Sequence, residues 1–181
     1  MFDLKVEASE EFDEATGRFY NVKAQTYKLE HSLISISKWE SKWHKPFLKK
    51  GDKTIEETID YIRCMTLTQN VNPEVYKLIT NDVIDEVTAY IDDSMTATWF
   101  SDKDKTPPSR EVVTAEIIYY WMIALNIPFE CQKWHLNRLL TLIKVCNAKN
   151  SPPKKRSKRE IAQEHAAINA ARRKATNAKK R

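Results

Sequence analysis

Residue types that bind metals or act in acid–base catalysis are spread along this 181-residue chain. The histidines are His31, His44, His135 and His165, and the cysteines are Cys64, Cys131 and Cys146. The spacing of a Cys/His zinc site is absent, and no histidine has the surrounding carboxylates of a general-base or metal constellation. We therefore predict core or solvated imidazoles, packed cysteines, no metal or cofactor, and a protein that is not an enzyme.

Acids near the N-terminus and the two glycines lack the patterns of known ion and phosphate sites. The acids are Glu10, Glu11, Asp13 and Glu14. They do not follow the spacing of a calcium loop, so we expect a solvated loop. Gly17 and Gly51 are too few and too far apart for a glycine-rich phosphate loop or a dinucleotide fingerprint, which disfavours ordinary nucleotide enzymes.

Three aromatic residues recur every four positions and form the candidate partner-binding face of the body. Trp39, Trp43 and Phe47 would lie on one face of a helix beside Lys42 and Lys45, a combination that can stack nucleic-acid bases. The alternative, which we favour, is that the aromatic rings pack in the core and the charges face water.

The net charge of +5 divides unevenly between the body and the C-terminal segment. Residues 152–181 contain 11 basic and 2 acidic side chains, which leaves 19 basic and 23 acidic residues in the body. A basic tail can bind phosphates, dock on an acidic protein or aid solubility. Its candidate contact residues are Lys154, Lys155, Arg156, Lys158, Arg159, Arg172, Arg173 and Lys174.

Residues 1–36 are rich in β-branched and aromatic residues with partial alternation, which predicts a small β-hairpin or meander. Asp13–Arg18 would form its turn, with Gly17 supplying a positive φ. The sequence Ser-Lys-Trp-Glu from Ser37 is a capping box, so we predict a helix from there to Lys50 with Gly51 as its C-terminal cap, unless Pro46 kinks or shortens it.

Further helices follow along the body. Thr54 opens a second capping box, whose helix would turn Ile55, Ile59, Ile62 and Met65 toward the core. A short helix near 73–79 and a helix capped at Asn81-Asp82 come next, before a polar loop at 101–109.

Residues 112–149 hold the most apolar surface and predict a helical hairpin of two antiparallel arms. In the first arm, Val113, Ile117, Trp121 and Leu125 recur every four residues, and Tyr120 and Ala124 widen this core-facing stripe. Pro128 should end that arm. The second arm repeats the pattern through Leu136, Leu139, Leu140, Ile143 and Val145.

These elements define a mainly α fold: a compact helical domain with a small N-terminal β-hairpin or meander and a basic C-terminal helical tail. The domain boundaries are 1–36 for a β segment packed on the body, 37–150 for the helical domain, and 151–181 for the partly helical tail. No apolar run reaches membrane-spanning length and the acidic start is unlike a secretory signal, so we expect a soluble protein.

Nearly the whole chain resembles tail assembly chaperones of long-tailed, siphovirus-like bacteriophages. The segments that carry the resemblance are LEHSLISISKWESKWHKPFL, TIEETIDYIRCMTLTQNV, EIIYYWMIALNIPFECQKWHLNRLLTLIKVCNAKN and the tail from SKREI to NAARRK. The resemblance implies a protein of the host bacterial cytoplasm that binds the tape measure protein and keeps it soluble until tail-tube polymerisation. It also implies self-association, contact with the tail-tube protein, a longer frameshifted form, and absence from the mature virion.

Two alternatives remain open on the sequence alone. The basic tail would suit a nucleic-acid-binding protein, although no reading module accompanies it. The N-terminal β segment would suit a structural subunit of the virion tail or connector, with an open strand edge between subunits.

Overall fold

The N-terminal segment is a long antiparallel β-ribbon. A computed structural model describes residues 1–13, 17–49, 51, 53–98, 100, 111–151, 162, 165, 166 and 169. The ribbon strands are β1 (Phe2–Val6), β2 (Ser9–Asp13), β3 (Arg18–Val22) and β4 (Gln25–Leu29). β1 pairs with β4 and β2 with β3. Of the two predicted arrangements, the hairpin is the one formed, and Gly17 has the expected positive φ of 64°.

Helix α1 (Leu33–Trp43) begins five residues earlier than predicted, because its N-cap is Ser32 and not Ser37. The Ser32 hydroxyl accepts a hydrogen bond from the Ser35 amide, while the Ser35 hydroxyl accepts from the Ser32 amide. This reciprocal cap starts the helix, and the predicted capping box at Ser37 is wrong because Ser37 lies inside it. The predicted cap at Gly51 is also wrong, since His44 ends the helix with a left-handed φ of 52°.

Helix α2 (Ile55–Met65) starts at the predicted Thr54 capping box, which is confirmed by reciprocal bonds between Thr54 and Glu57. Ile62 and Met65 are buried as expected. Ile55 is not, because its side chain is 66% exposed. Position 55 is the first of the helix and precedes the turns that pack against α1.

A 3₁₀ helix (Pro73–Leu78) and helix α3 (Asn81–Asp92) confirm the next two predicted elements. The cap of α3 is Thr80 rather than Asn81-Asp82. At its C-terminal end, the Asn137 side-chain amide donates to the carbonyls of Ile91 and Asp93, both at 2.8 Å.

Helix α4 (Ala115–Ala124), a 3₁₀ helix (Phe129–Lys133) and helix α5 (Leu136–Asn150) form the remaining part of the body. The predicted core stripe of α4 is confirmed only in part, because Val113, Trp121 and Leu125 pack half-buried against the core whereas Tyr120 and Ala124 are exposed. The fully buried residues are Ala115, Ile118 and Met122. Nearly every position of α4 is apolar, so its periodicity could not identify the inward face, which is set by packing on α1. In α5, the predicted core positions Leu136, Leu139 and Ile143 are confirmed.

The core joins the ribbon to the helices. Leu4, Tyr27 and Leu29 of the ribbon pack in the same cluster as buried residues of α1, α2, α4 and α5. Residues Met1–Asn147 form one compact unit and Ala148–Arg181 a second. The fold is mainly helical, and the tail residues that the structure describes (162, 165, 166 and 169) are helical. Within the described ranges, no helix has the length and apolar character needed to cross a bilayer.

Candidate protein-interaction surface

The predicted aromatic face is largely part of the core. Trp39 and Phe47 are buried, and their rings meet edge to face with centroids 5.2 Å apart. The Trp39 indole N–H donates to the Glu57 carbonyl at 2.9 Å. The prediction that these two residues bind a partner is therefore wrong, because their surfaces are covered by α2. The packing alternative is confirmed for them, and only Trp43 keeps part of its surface exposed.

Ion pairs between α1 and α2 surround Trp43. Lys42 pairs with buried Asp60, and the Trp43 indole N–H donates to the same carboxylate at 2.9 Å. Burial acts to raise the pKa of Asp60, but the hydrogen bonds from Lys42 and Trp43 outweigh it, so its pKa lies below the usual value. The lysines beside the aromatic residues thus neutralise acids of this chain.

A second polar cluster brings the residues just before α1 next to those just before α5. The rings of His31 and His135 are buried with centroids 5.0 Å apart. His31 Nδ1 lies 2.5 Å from the Tyr61 hydroxyl oxygen, and the Tyr90 hydroxyl donates to Glu30 at 2.6 Å. Burial, together with the neighbouring His135, lowers the pKa of His31 to about 3. These satisfied imidazoles agree with the prediction, and the described residues contain no cluster of three His, Cys, Asp or Glu suited to a metal.

An open apolar groove, which we call the α4–α5 groove, lies between those two helices. Its volume is about 620 Å³. The apolar lining consists of Leu48, Val112, Val113, Trp121, Leu140 and Ile143. Lys49, Glu111, Lys144 and Asn147 complete it. The predicted arms of the hairpin are therefore separated along part of their length, and α4 packs instead on α1.

The side of α4 turned away from the core is also apolar. Tyr120 and Ile123 are 66% and 61% exposed. Phe129, which follows α4, is exposed as well and lies beside Tyr119 with ring centroids 6.4 Å apart. We call Tyr120, Ile123 and Phe129 the outer α4 surface. Sequence reasoning placed Tyr120 in the core stripe, although a helix that is apolar all round has more apolar faces than one neighbour covers.

A third apolar feature lies at the end of the β2–β3 ribbon. Phe12 and Phe19 face each other across the strands, with ring centroids 4.9 Å apart. They are 50% and 70% exposed. We call this pair the ribbon tip. The tail candidates Lys154, Lys155, Arg156, Lys158, Arg159, Arg172, Arg173 and Lys174 lie outside the described residues.

The described part of the chain belongs to the class of mainly helical proteins that carry an antiparallel β-ribbon. Its distinctive features are exposed apolar side chains on α4, in the α4–α5 groove and at the ribbon tip. In comparisons with known proteins, the chain matches no family model, no curated protein and no solved structure.

Proposed function

We propose that this protein is a tail assembly chaperone of long-tailed bacteriophages. It binds the tape measure protein in the host cytoplasm and keeps it soluble until tail-tube subunits polymerise around it. The resemblance of nearly the whole chain to such chaperones supports this function. The structural observation that carries it is the outer α4 surface, where large apolar side chains remain in water at the surface of an otherwise well-packed body.

The chemistry of this surface suits reversible protection of an apolar client. Fully burying one side chain of this size contributes about 1.5–3 kcal/mol, so the few residues of one copy give a weak contact. Many copies along a long client then hold it by avidity, while each contact stays easy to release. The same proposal includes no catalytic step. It does include contact with the tail-tube protein through the basic tail, a longer frameshifted form, and departure before the virion is complete.

Co-expression with the tape measure protein tests the proposal. We expect the full chain to raise the soluble fraction of the tape measure protein, and the variant Tyr120→Ser/Ile123→Ser to lose most of that effect. The matched control is Ile55→Ser, because Ile55 is as exposed as Tyr120 but lies on α2. A client that stays insoluble with the wild-type chain, or is protected equally by the double variant, would count against the proposal.

A structural subunit of the virion tail is the second candidate. It is favoured by the two-stranded sheets of the ribbon, in which outer strand edges other than the end of β4 can pair with another chain. The end of β4 is already occupied, because its Lys28 carbonyl accepts a hydrogen bond from the Leu67 amide at 2.8 Å. Mass spectrometry of purified particles separates the two functions, because a virion subunit is retained in stoichiometric amounts and an assembly chaperone is not. Nucleic-acid binding now depends on the basic tail alone, since Trp39 and Phe47 are buried.

A further inference from the structure

The ribbon tip presents two phenyl rings to solvent on a well-anchored support. Val22, at the base of β3, is buried in the core, and the Lys77 ammonium lies 5.5 Å from the centroid of the Tyr20 ring. Phe12 and Phe19 lie at the far end, next to the turn, and are at least half exposed. Because both rings are exposed, they do not occupy the α4–α5 groove of their own chain.

The α4–α5 groove has the size and lining to hold those rings. Cavities of about 300–1,000 Å³ accommodate drug-sized ligands, which are larger than two phenyl rings, and this one measures about 620 Å³. The groove is open to solvent, and Leu48 and Val112 at its edge are exposed. An apolar pair inserted there would cover both its own surface and that of the lining.

The charges beside the two surfaces are complementary. Glu10 lies on the same face of β2 as Phe12, because side chains two residues apart in a strand point the same way. Lys49 and Lys144 line the groove and form no ion pair with another described residue. Glu111 is the only acid among the lining residues that the structure describes. An acidic side chain two residues from the tip would therefore approach a groove whose described lining carries one net positive charge.

We propose that the ribbon tip of one copy inserts into the α4–α5 groove of a second copy. The contact is heterologous, because it joins two different surfaces of the same chain. Each copy retains one unused tip or groove after pairing, so the assembly grows head to tail or closes into a ring. The outer α4 surface takes no part in this contact and stays available to a client, so self-association is separate from the proposed chaperone function.

Two variants of the full chain test the contact. Phe12→Ser/Phe19→Ser removes the tip, and Val112→Glu/Lys144→Glu places negative charge in the groove. All four side chains are at least partly exposed, so both variants should fold, which circular dichroism checks. Ile123→Ser on the outer α4 surface is the matched control. The readout is molar mass by sedimentation over a range of protein concentration.

We expect the molar mass of the wild type and of the Ile123→Ser control to increase with protein concentration. Each double variant should need a roughly tenfold higher concentration to reach the same molar mass. The decisive measurement mixes the two double variants, since one keeps an intact groove and the other an intact tip. At concentrations where neither double variant associates by itself, the mixture should form a one-to-one pair. A wild type that stays monomeric throughout, a double variant that associates like the wild type, or a mixture without the pair would each overturn the proposal.

Discussion

The buried carboxylate of Glu40 provides the most direct test of which contacts stabilise this fold. Glu40 belongs to α1, yet its Oε2 accepts a hydrogen bond at 2.8 Å from the amide of Ala115, the first residue of α4. Its Oε1 accepts another from the Phe47 amide at 2.7 Å. Thr114, the residue before α4, makes no side-chain cap. Glu40 therefore performs that role from 75 residues away, at the positive end of the helix dipole.

The substitution Glu40→Ala leaves two buried amides without an acceptor. Each unsatisfied donor costs about 1–3 kcal/mol, or about 2–6 kcal/mol for two. Relief from burying the carboxylate offsets part of that cost, so we expect a loss of about 2–4 kcal/mol from the free energy of unfolding. This is a large share of the ~5–15 kcal/mol that holds a typical domain. Glu40→Gln keeps one oxygen acceptor and should lose roughly half as much.

Urea denaturation followed by tryptophan fluorescence measures these losses. The matched control is Glu56→Ala, which removes an exposed acid from the first turn of α2 and should cost less than about 1 kcal/mol. The reasoning is refuted if Glu40→Ala costs no more than this control, or if the glutamine variant is no more stable than the alanine variant.

Two further predictions concern polar groups at other helix ends. The pKa of His31 is about 3 when folded against 6.5 in the unfolded chain, so the unfolded state binds more protons below pH 6.5. The contribution of His31 to the free energy of unfolding therefore falls by up to about 1.4 kcal/mol per pH unit as the pH decreases from 6.5 toward 3. Urea denaturation at pH 7 and pH 5 should show a loss of about 2 kcal/mol that His31→Asn removes. Asn137→Ala deletes both hydrogen bonds to the end of α3 and should cost about 1–2 kcal/mol in the same assay. Asn137→Asp, whose ionised carboxylate cannot donate, should be no more stable than Asn137→Ala. An Asp variant as stable as the wild type would contradict the role of Asn137 as a hydrogen-bond donor to the end of α3.

Elements specified by neighbouring residues were predictable from the sequence. The capping box at Thr54 forms because both partners lie within one turn, and the ribbon turn follows from the conformational freedom of Gly17. The start of α1 was misplaced for a related reason. Ser32 and Ser37 both precede a plausible first turn, and the structure uses Ser32, which also places Ser35 where its hydroxyl donates to the Glu30 carbonyl at 3.1 Å.

Contacts between distant residues account for what the sequence could not predict. A four-residue spacing brings Trp39 and Trp43 to one face of α1, but packing against α2 buries Trp39 and leaves Trp43 partly exposed. The link from Glu40 to Ala115 has no local signature at all, since each residue looks ordinary among its neighbours. The aromatic part of the candidate site was therefore assigned to a face that is partly buried, while Tyr120 was placed in the core.

The position of α4 explains why this protein leaves so much apolar surface in water. One face of α4, formed by Ala115, Ile118 and Met122, is buried against the body, and its first amide is fixed by Glu40. The outer α4 surface and the α4–α5 groove remain, although α4 is firmly placed. A partner that binds to either surface meets a helix that is already ordered, so association does not have to order the backbone first. A few exposed side chains can then support a useful, readily reversible contact.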